Sequence, residues 1–206
     1  MTPGFFLVLE GPEGAGKSTL ARALASRATE SGRKVMAVRE PGGTPAAEAA
    51  RSIVLDHAHA VGPEAELLLM LAARADLVRR VIRPALEAGS LVIADRFDLS
   101  TTAYQVAGRG LPADLVGAAN RIATGGLAPD LTLVLDLDPT VGRARQVDAG
   151  KRTDRLDDEA PEFHARVAAA YRAAAGPGVR HLDAAVPADR LAEAAWVELE
   201  RSWRLT

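Results

Sequence analysis

The stretch that most constrains this chain is residues 11–18, which read Gly-Pro-Glu-Gly-Ala-Gly-Lys-Ser. They fit the phosphate-binding pattern G-x-x-x-x-G-K-[ST] at every fixed position. The apolar run at residues 5–9 predicts a buried parallel strand before this stretch. The spacing of Leu20 and Leu24 predicts a helix that begins at Lys17. The glycines therefore lie on a strand-to-helix turn, which is the context that the pattern requires.

Each residue type in this turn suits a polyphosphate ligand. Glycines let backbone N–H groups converge on an anion, and the following helix directs its positive end at the same anion. Lys17 adds a charge for the β- and γ-phosphates, and the Ser18 hydroxyl can bind Mg²⁺. We therefore predict that a nucleoside triphosphate is bound by Gly11, Pro12, Glu13, Gly14, Ala15, Gly16, Lys17, Ser18 and Thr19.

Composition narrows the remaining classes of protein. The chain has 206 residues, of which 48% are hydrophobic, so it can bury a substantial core as one domain over residues 1–206. The formal net charge of -2 gives no general attraction to nucleic acid or anionic membranes. Cysteine is absent, which excludes disulfides and thiol catalysis. Without an apolar run of about 20 residues or a signal peptide, a cytoplasmic protein without a membrane partner is expected.

Strand and helix patterns alternate along the chain. The strands are predicted at residues 5–9, 33–38, 91–94, 131–136 and 179–182. The helices after the first are predicted at residues 46–55, 63–82, 99–105, 160–175 and 187–201, with Thr44 as the N-cap of helix 46–55. This alternation predicts an α/β fold, with a five-stranded parallel sheet covered by helices on both faces.

Two charged residues stand out in apolar surroundings. Arg74 interrupts the apolar stripe of helix 63–82, where an unpaired charge is costly. It therefore either extends to the edge of the helix or meets a polar or anionic ligand. The stripe itself would serve equally well as core or as a subunit interface. Asp95 ends the third strand, which is the usual place for a carboxylate near Mg²⁺ in a phosphate-loop fold, although a helix cap is the alternative.

A basic segment punctuated by glycine covers approximately residues 143–156. It contains Arg143, Arg145, Lys151, Arg152 and Arg155, and acidic residues follow it. One interpretation is a solvated helix end. The other is a short mobile lid, whose arginines close over a transferring phosphoryl group and exclude water.

Taken together, these motifs resemble the thymidylate kinase family, whose members transfer the γ-phosphoryl group of ATP to deoxythymidine monophosphate (dTMP). The resemblance runs nearly from end to end. Beyond the phosphate loop it rests on Arg-Glu-Pro-Gly-Gly-Thr at 39–44, Ala-Ala-Arg at 72–74, Asp-Arg-Phe at 95–97, residues 100–105, Gly-Arg-Gly at 108–110 and Asp-Arg-Leu at 154–156. It implies a P-loop NTPase fold with a short lid, Mg²⁺ as cofactor, ATP and dTMP as small-molecule partners, and a homodimer.

The resemblance also implies roles in substrate binding. Arg39 and Arg96 would hold the acceptor monophosphate, and Arg74 would hydrogen-bond the edge of the thymine. Glu13 would receive the sugar 3′-hydroxyl, and Tyr104 would crowd the 2′ position against ribonucleotides. The remaining members of the implied substrate site are Met70, Ser100, Thr101 and Gln105.

The implied catalytic set combines residues of the phosphate loop, the third strand and the lid. The loop carries Glu13 and no arginine, so the chain resembles bacterial members that have their catalytic arginine in the lid. Arg152 and Arg155 are the preferred candidates, ahead of Arg145. The catalytic residues are then Lys17, Asp95, Arg96, Arg152 and Arg155, and the metal ligands are Ser18 and Asp95.

One position departs from the family pattern. Family members commonly carry phenylalanine four residues before the base-reading arginine, where this chain has Met70. Stacking of a base on an aromatic ring contributes about 1–3 kcal/mol, and the polarizable sulfur of methionine retains part of that contact. We therefore expect acceptor binding that is weaker by about tenfold.

Other functions are considered beside this one. A kinase for another (deoxy)nucleoside monophosphate is suggested by Met70, and a catalytically silent nucleotide-binding protein is the third possibility. A GTPase-type switch is disfavoured, because Asp95 is followed by Arg-Phe-Asp and not by a glycine two positions later. The chain also has no Asn-Lys-x-Asp motif for guanine.

Overall fold

A computed structural model describes residues 4–203, in which five strands form one parallel sheet. The strands are β1 (Phe5–Glu10), β2 (Val35–Arg39), β3 (Leu91–Asp95), β4 (Leu131–Asp136) and β5 (Val179–Asp183). Their order is β2-β3-β1-β4-β5, and each neighbouring pair is parallel. The predicted α/β fold with a five-stranded parallel sheet is confirmed.

Helices connect the strands. They are α1 (Lys17–Glu30), α2 (Pro45–Leu55), α3 (Pro63–Leu77), α4 (Arg83–Glu87), α5 (Asp98–Thr101), α6 (Ala113–Thr124), α7 (Pro139–Asp148), α8 (Pro161–Arg172) and α9 (Ala188–Trp203). The π-helical turn Val78–Ile82 joins α3 to α4, and a second one, Thr102–Gly108, continues α5. Thr44 caps α2 as predicted, by accepting a hydrogen bond from the backbone of Ala47. Within residues 4–203, no helix is both long and apolar enough to cross a bilayer.

The central strand β1 is buried on both faces, and its successive side chains enter different apolar clusters. Phe5, Leu7 and Leu9 belong to a cluster that includes side chains of α1 and α9. Phe6 and Val8 belong to a second cluster with Leu77 of α3 and with residues 78 and 82 of the turn that joins α3 to α4. Burial on both sides explains why the strand is a continuous apolar run without polar alternation.

The apolar stripe of α3 is part of the core. Leu67 and Leu71 pack with Val116 and Ala123 of α6, and Leu77 joins the cluster beneath the sheet. The structure therefore supports core as the interpretation of this stripe, in preference to a subunit interface. Burying each such side chain contributes about 1.5–3 kcal/mol.

The strand register brings the polar motifs to one edge of the sheet. In β1 and β3, Leu9 pairs with Asp95, and in β2 and β3, Arg39 pairs with Asp95. The phosphate loop follows β1 directly, so it emerges beside the carboxyl ends of β2 and β3. Ligands of open parallel sheets bind outside these carboxyl ends. This edge is therefore where a site is expected.

Candidate active site

The phosphate loop wraps around the side chain of Lys17. Its glycines 11, 14 and 16 have φ angles of 135°, 73° and 92°, a backbone region that glycine enters without strain. The Lys17 Nζ donates hydrogen bonds to the carbonyls of Gly11 (3.0 Å) and Pro12 (2.8 Å). The side chain is only 6% exposed, so its ammonium is largely removed from water.

The pH dependence of ATP binding should report on Lys17. Burial lowers the pKa of this ammonium to about 8, below its usual 10.5, although neighbouring carboxylates partly oppose the shift. Protonated Lys17 attracts the triphosphate, so affinity should be constant below the pKa and fall above it, by about tenfold at pH 9. Calorimetric titration between pH 7.5 and 9.5 measures this decline, with proton uptake on binding at the upper end. Lys34→Ala, which removes an exposed lysine before β2, is the control and should leave the profile unchanged. A flat wild-type profile would contradict the expectation.

Ser18 and Asp95 form the candidate metal site. The Ser18 Oγ donates a hydrogen bond of 2.5 Å to Asp95 Oδ2, so the loop hydroxyl and the strand-end carboxylate are adjacent. Both are hard oxygen donors, and Mg²⁺ usually takes one or two protein ligands together with substrate phosphates and water. Among residues 4–203, no group of three or more His, Asp or Glu side chains could enclose a metal ion. The oxygen pair therefore fits Mg²⁺ that is bound jointly with ATP.

Arg96 is the centre of a hydrogen-bond network at the end of β3. Its backbone has a φ of 75°, which is uncommon for any residue other than glycine and is maintained only where the surroundings over-determine it. The guanidinium is mostly buried, with a side-chain exposure of 13%. It pairs with Glu13 and donates to the Gly11 carbonyl (3.2 Å), Ser100 Oγ (3.2 Å), the Tyr171 hydroxyl (2.7 Å) and the Tyr104 hydroxyl (3.1 Å).

Two residues that the sequence analysis missed hold this network in place. Glu10 is fully buried and accepts hydrogen bonds from the backbone of Phe97 (2.8 Å) and from the hydroxyl of Ser100 (2.6 Å). The Tyr171 hydroxyl donates to Glu10 at 3.2 Å and accepts from Arg96. The sequence did carry a signal for Glu10, because it is an acid directly after the apolar run 5–9. A carboxylate that is buried there needs hydrogen-bond partners. Tyr171 lies on α8 and had no signal in the sequence.

Glu13 is an internal anion shared by two cations. Its Oε1 pairs with Arg96, and its Oε2 lies 3.5 Å from Lys151 Nζ. Burial alone would raise the pKa of this carboxyl, but the charges of Arg96, Lys17 and Lys151 outweigh that effect and hold the pKa well below its usual range. Glu13 is therefore ionised at neutral pH.

Arg74 lies inside the protein among polar partners, so the alternative that it extends to the edge of the helix is wrong. It is 4% exposed, and its Nε donates to Glu40 Oε2 at 2.6 Å. Its Nη1 donates to Thr101 Oγ1 and Asn120 Oδ1, both at 2.6 Å, and its Nη2 donates to the Phe97 carbonyl at 2.8 Å. Among the described residues, these bonds use four of the five N–H groups. One N–H on Nη2 is left for a ligand.

Arg39 lies at the rim of the site. It is half exposed and pairs with Glu48 at 3.0 Å. Arg51, which the sequence analysis did not single out, also lies on this rim and donates to the Pro41 carbonyl at 3.0 Å. Two guanidinium groups at one rim would attract a phosphate.

The predicted lid segment begins within the last turns of α7, which agrees with the interpretation of its first part as a helix end. The helix α7 contacts the phosphate loop so closely that a Cβ on Gly14 would lie 2.2 Å from the Gly142 carbonyl oxygen. Arg145 donates to the Ala184 carbonyl at 3.0 Å. After α7 the chain turns back, and Asp157 is buried there.

The two preferred lid arginines do not line the cleft. Arg155 donates to Glu66 Oε2 at 2.5 Å and to the Val54 carbonyl at 2.8 Å. Arg152 is exposed. Lys151 and Arg145 are the lid cations that line the cleft.

The site as a whole is one cleft of about 430 Å³, a size that suits a small-molecule ligand. Of the predicted residues, it is lined by Glu13, Gly14, Gly16, Lys17, Ser18, Thr19, Arg39, Met70, Arg74, Asp95, Arg96, Ser100, Thr101, Tyr104 and Gln105. Gly11, Pro12 and Ala15 are buried within the loop, outside this lining. Gln105 is also buried, and its amide donates to Glu66 at 2.9 Å.

The fold and the phosphate loop define a nucleotide-binding protein of the P-loop class. Comparison with known proteins gives the family, because the family profile described as thymidylate kinase matches residues 9–194. The thymidylate kinase of Thermomicrobium roseum is 48% identical over 195 residues, which cover 93% of this chain and 92% of that protein. The thymidylate kinase of Deinococcus radiodurans is 45% identical over 199 residues, covering 95% and 96%. This chain belongs to the thymidylate kinase family, and the resemblance drawn from its motifs is confirmed.

Proposed function

We propose that this protein phosphorylates dTMP to dTDP with ATP as the donor, a step in deoxynucleotide synthesis. The observation that carries the proposal is one cleft, whose lining includes both Lys17 of the phosphate loop and the buried Arg74. In a chain of this family, the first residue suits a triphosphate and the second suits the base of an acceptor nucleotide.

In the proposed reaction, Arg39 and Arg96 bring the acceptor monophosphate to the γ-phosphorus of ATP. An oxygen of the acceptor phosphate forms a bond to that phosphorus while the bond to the β–γ bridging oxygen breaks, and ADP leaves. The acceptor oxygen is already ionised at neutral pH, so no general base is required. The protein contributes positioning and charge neutralisation, which are the main requirements of phosphoryl transfer.

Ser18 and Asp95 are the proposed ligands of Mg²⁺. When bound with ATP, the ion supplies neutralisation of charge on the β- and γ-phosphates. Lys17 contributes a second positive charge from within the loop, where its ammonium is held by two backbone carbonyls.

Selection of the acceptor is proposed to occur at Arg74. The unused N–H of Arg74 would donate to an oxygen of the thymine edge. Thr101 and Asn120 orient the guanidinium through their own hydrogen bonds to it. Tyr104 is buried beside Arg96, where it would crowd a 2′-hydroxyl.

A panel of monophosphate acceptors with ATP and Mg²⁺ tests the proposed function. The assay couples ADP release to a spectroscopic signal and compares dTMP with dUMP, dCMP, dGMP, dAMP and their ribonucleotides. The highest kcat/KM is expected for dTMP. Preference for a purine acceptor would support the alternative of a different nucleoside monophosphate kinase, and the absence of any diphosphate product would support a silent nucleotide-binding protein.

Replacing Met70 should strengthen acceptor binding. Met70 lines the cleft four residues before Arg74, where a flat aromatic ring could stack on the base. Met70→Phe is therefore expected to tighten dTMP binding by up to about tenfold, with ATP binding unchanged. Met70→Leu, which adds no ring, is the matched control. Equal dTMP dissociation constants for Met70→Phe and Met70→Leu, measured by calorimetry, would contradict the expectation.

A homodimer and a cytoplasmic location complete the proposal. Large apolar side chains are exposed on two neighbouring helices, namely Leu68 of α3 (64% exposed) and Leu115 and Ile122 of α6 (54% and 83%). Such residues are common at subunit interfaces. Sedimentation of a 21.6 kDa species at micromolar concentration would contradict the dimer. A cytoplasmic location is proposed because ATP and the acceptor nucleotides are present in the cytoplasm. No nucleic acid partner is proposed.

A further inference from the structure

We propose that Lys151 is the lid cation that contacts the transferring phosphoryl group, in the role that the resemblance assigns to a lid arginine. The inference rests on the proposed function, because it adds a catalytic residue to that reaction. Three properties of the lid support it: where its arginines are bound, where Lys151 lies, and which anion Lys151 contacts.

The first property is that Arg155 is committed to another contact. Its Nη2 and Nε donate to the fully buried Glu66 and to the Val54 carbonyl, and its backbone N–H donates to the Leu55 carbonyl at 3.1 Å. Glu66 also pairs with Arg109 at 2.9 Å. Removing Arg155 from this buried cluster would leave the carboxylate of Glu66 with one cationic partner fewer, which is energetically costly. Arg155 therefore attaches the end of the lid to α2.

The second property is the position of Lys151 over the phosphate loop. Its Nζ lies 3.5 Å from Glu13 Oε2 and 3.5 Å from Asp157 Oδ2. The side chain is 46% exposed, so the flexible stem can change direction without opening the core. Arg152, the next residue, is exposed and does not line the cleft.

The third property is that Lys151 and Arg96 share one carboxylate. They approach Glu13 on different oxygens, Arg96 on Oε1 and Lys151 on Oε2. Arg96 extends from the end of β3 and Lys151 from the lid, so an anion between them is held by two separate parts of the molecule. A phosphoryl group also presents several oxygens to its surroundings. The geometry points to Glu13 as the internal anion that occupies this position before the phosphates arrive.

The base of the lid is held to the loop that it covers. Gly142 of α7 lies against Gly14, and Arg143 donates to the Asp157 carbonyl at 2.7 Å. The buried Asp157 side chain also accepts from Gln146 at 3.1 Å. These contacts hold the turn that carries Lys151 beside the phosphate loop, and the proposal requires only that its exposed side chain turn from Glu13 to a phosphoryl oxygen.

A cation at this position would act on the transition state. Charge is then spread over the three equatorial oxygens of the phosphoryl group, and a preorganised positive group stabilises it more than the ground state. The Lys151 ammonium would leave Glu13, contact one of these oxygens and remain protonated throughout. Glu13 would in turn be released for the sugar 3′-hydroxyl.

The test compares Lys151→Ala, Lys151→Arg, Arg152→Ala and the control Lys34→Ala. The chain has lysines at positions 17, 34 and 151, and Lys34 is exposed at the opposite end of the strands from the cleft. Lys151→Ala should lower kcat by about 10²–10³-fold, while the ATP dissociation constant and the KM for dTMP stay unchanged. Lys151→Arg should recover most of that loss, and Lys34→Ala should behave as wild type. Unchanged thermal unfolding of Lys151→Ala would establish that the fold is intact.

The proposal is overturned if Lys151→Ala keeps the wild-type kcat, or if Arg152→Ala shows the larger loss. It is also overturned if Lys151→Arg is as slow as Lys151→Ala, because a positive charge at this position would then not restore the rate. Failure of the proposed function has a different signature. In that case wild-type protein would form no dTDP, and the comparison would be made with the acceptor that the panel identifies.

Discussion

Arg96→Ala is expected to reduce turnover of dTMP by about 10³-fold or more, while ATP still binds. The guanidinium lies beside the phosphate loop, where it is held by Glu13 and by two tyrosine hydroxyls. In the proposed role, its loss removes the charge that offsets repulsion between two anionic substrates. It also leaves Glu13 without its closest cation. Steady-state kinetics gives the turnover, and calorimetry with an unreactive ATP analogue gives donor binding.

The matched variants for Arg96 separate charge from geometry. Arg96→Lys keeps a positive charge and a Cβ on the left-handed backbone but loses the planar fork, so an intermediate rate is expected. Tyr171→Phe removes only the hydroxyl that bonds to Arg96 and should cause the smallest loss. Turnover near the wild-type value in Arg96→Ala would exclude the proposed role. Thermal unfolding of all three variants checks that the fold is retained.

Arg74→Met is expected to lower the free energy of unfolding by about 3–5 kcal/mol at pH 8. Methionine has a similar length but no charge, so the buried carboxylate of Glu40 loses its partner at 2.6 Å. The second oxygen of Glu40 is already buried without a hydrogen-bond partner among the described residues. Thr101 and Asn120 lose a donor in the same substitution. Urea unfolding measures the change in stability.

The cost of Arg74→Met should depend on pH, because Glu40 can be protonated. Burial raises the pKa of Glu40 to about 7 in the wild type, although Arg74 opposes the rise, and removing Arg74 would raise it further. For an acid whose folded pKa lies above its unfolded value of 4.5, stability is fully present below 4.5 and is lost as pH rises through the folded pKa. The variant should therefore lose more stability at pH 8 than at pH 5.5.

A double variant isolates the contribution of Glu40. Arg74→Met with Glu40→Gln leaves no buried charge at this place, so its stability should not depend on the titration of Glu40. Replacing both partners of a buried pair is often much less costly than removing one. A single Arg74→Met variant that is equally stable at pH 5.5 and pH 8 would exclude this account of the pair.

Features that depend on neighbouring residues could be predicted from the amino-acid sequence. Apolar runs marked the central strands β1, β3 and β4, because strands that are buried on both faces are apolar at nearly every position. The glycine pattern of residues 11–18 marked the phosphate loop, because only a few residues are needed to form a strand-to-helix turn. Asp95 was found in the same way, since it directly follows a buried strand. These features account for the fold class and for the phosphate-loop part of the cleft, whereas most other predicted lining residues came from the family resemblance.

Contacts between polar groups that are far apart in the chain could not be predicted from the sequence and are known from the folded structure. Glu40 and Arg74 are 34 positions apart, and Tyr171 and Arg96 are 75 apart, so no local pattern connects them. The helix α7 had a local signal in the cap Asp138 followed by Pro139, but its face has too few apolar residues for a clear helical period. The sequence offered no physical reason to prefer Arg152 and Arg155 over the other lid cations, because each is simply a basic residue in a short segment. Arg155 is distinguished by its contact with the buried Glu66, and Lys151 is distinguished by its proximity to Glu13. Both contacts depend on how elements that are distant in the sequence pack together.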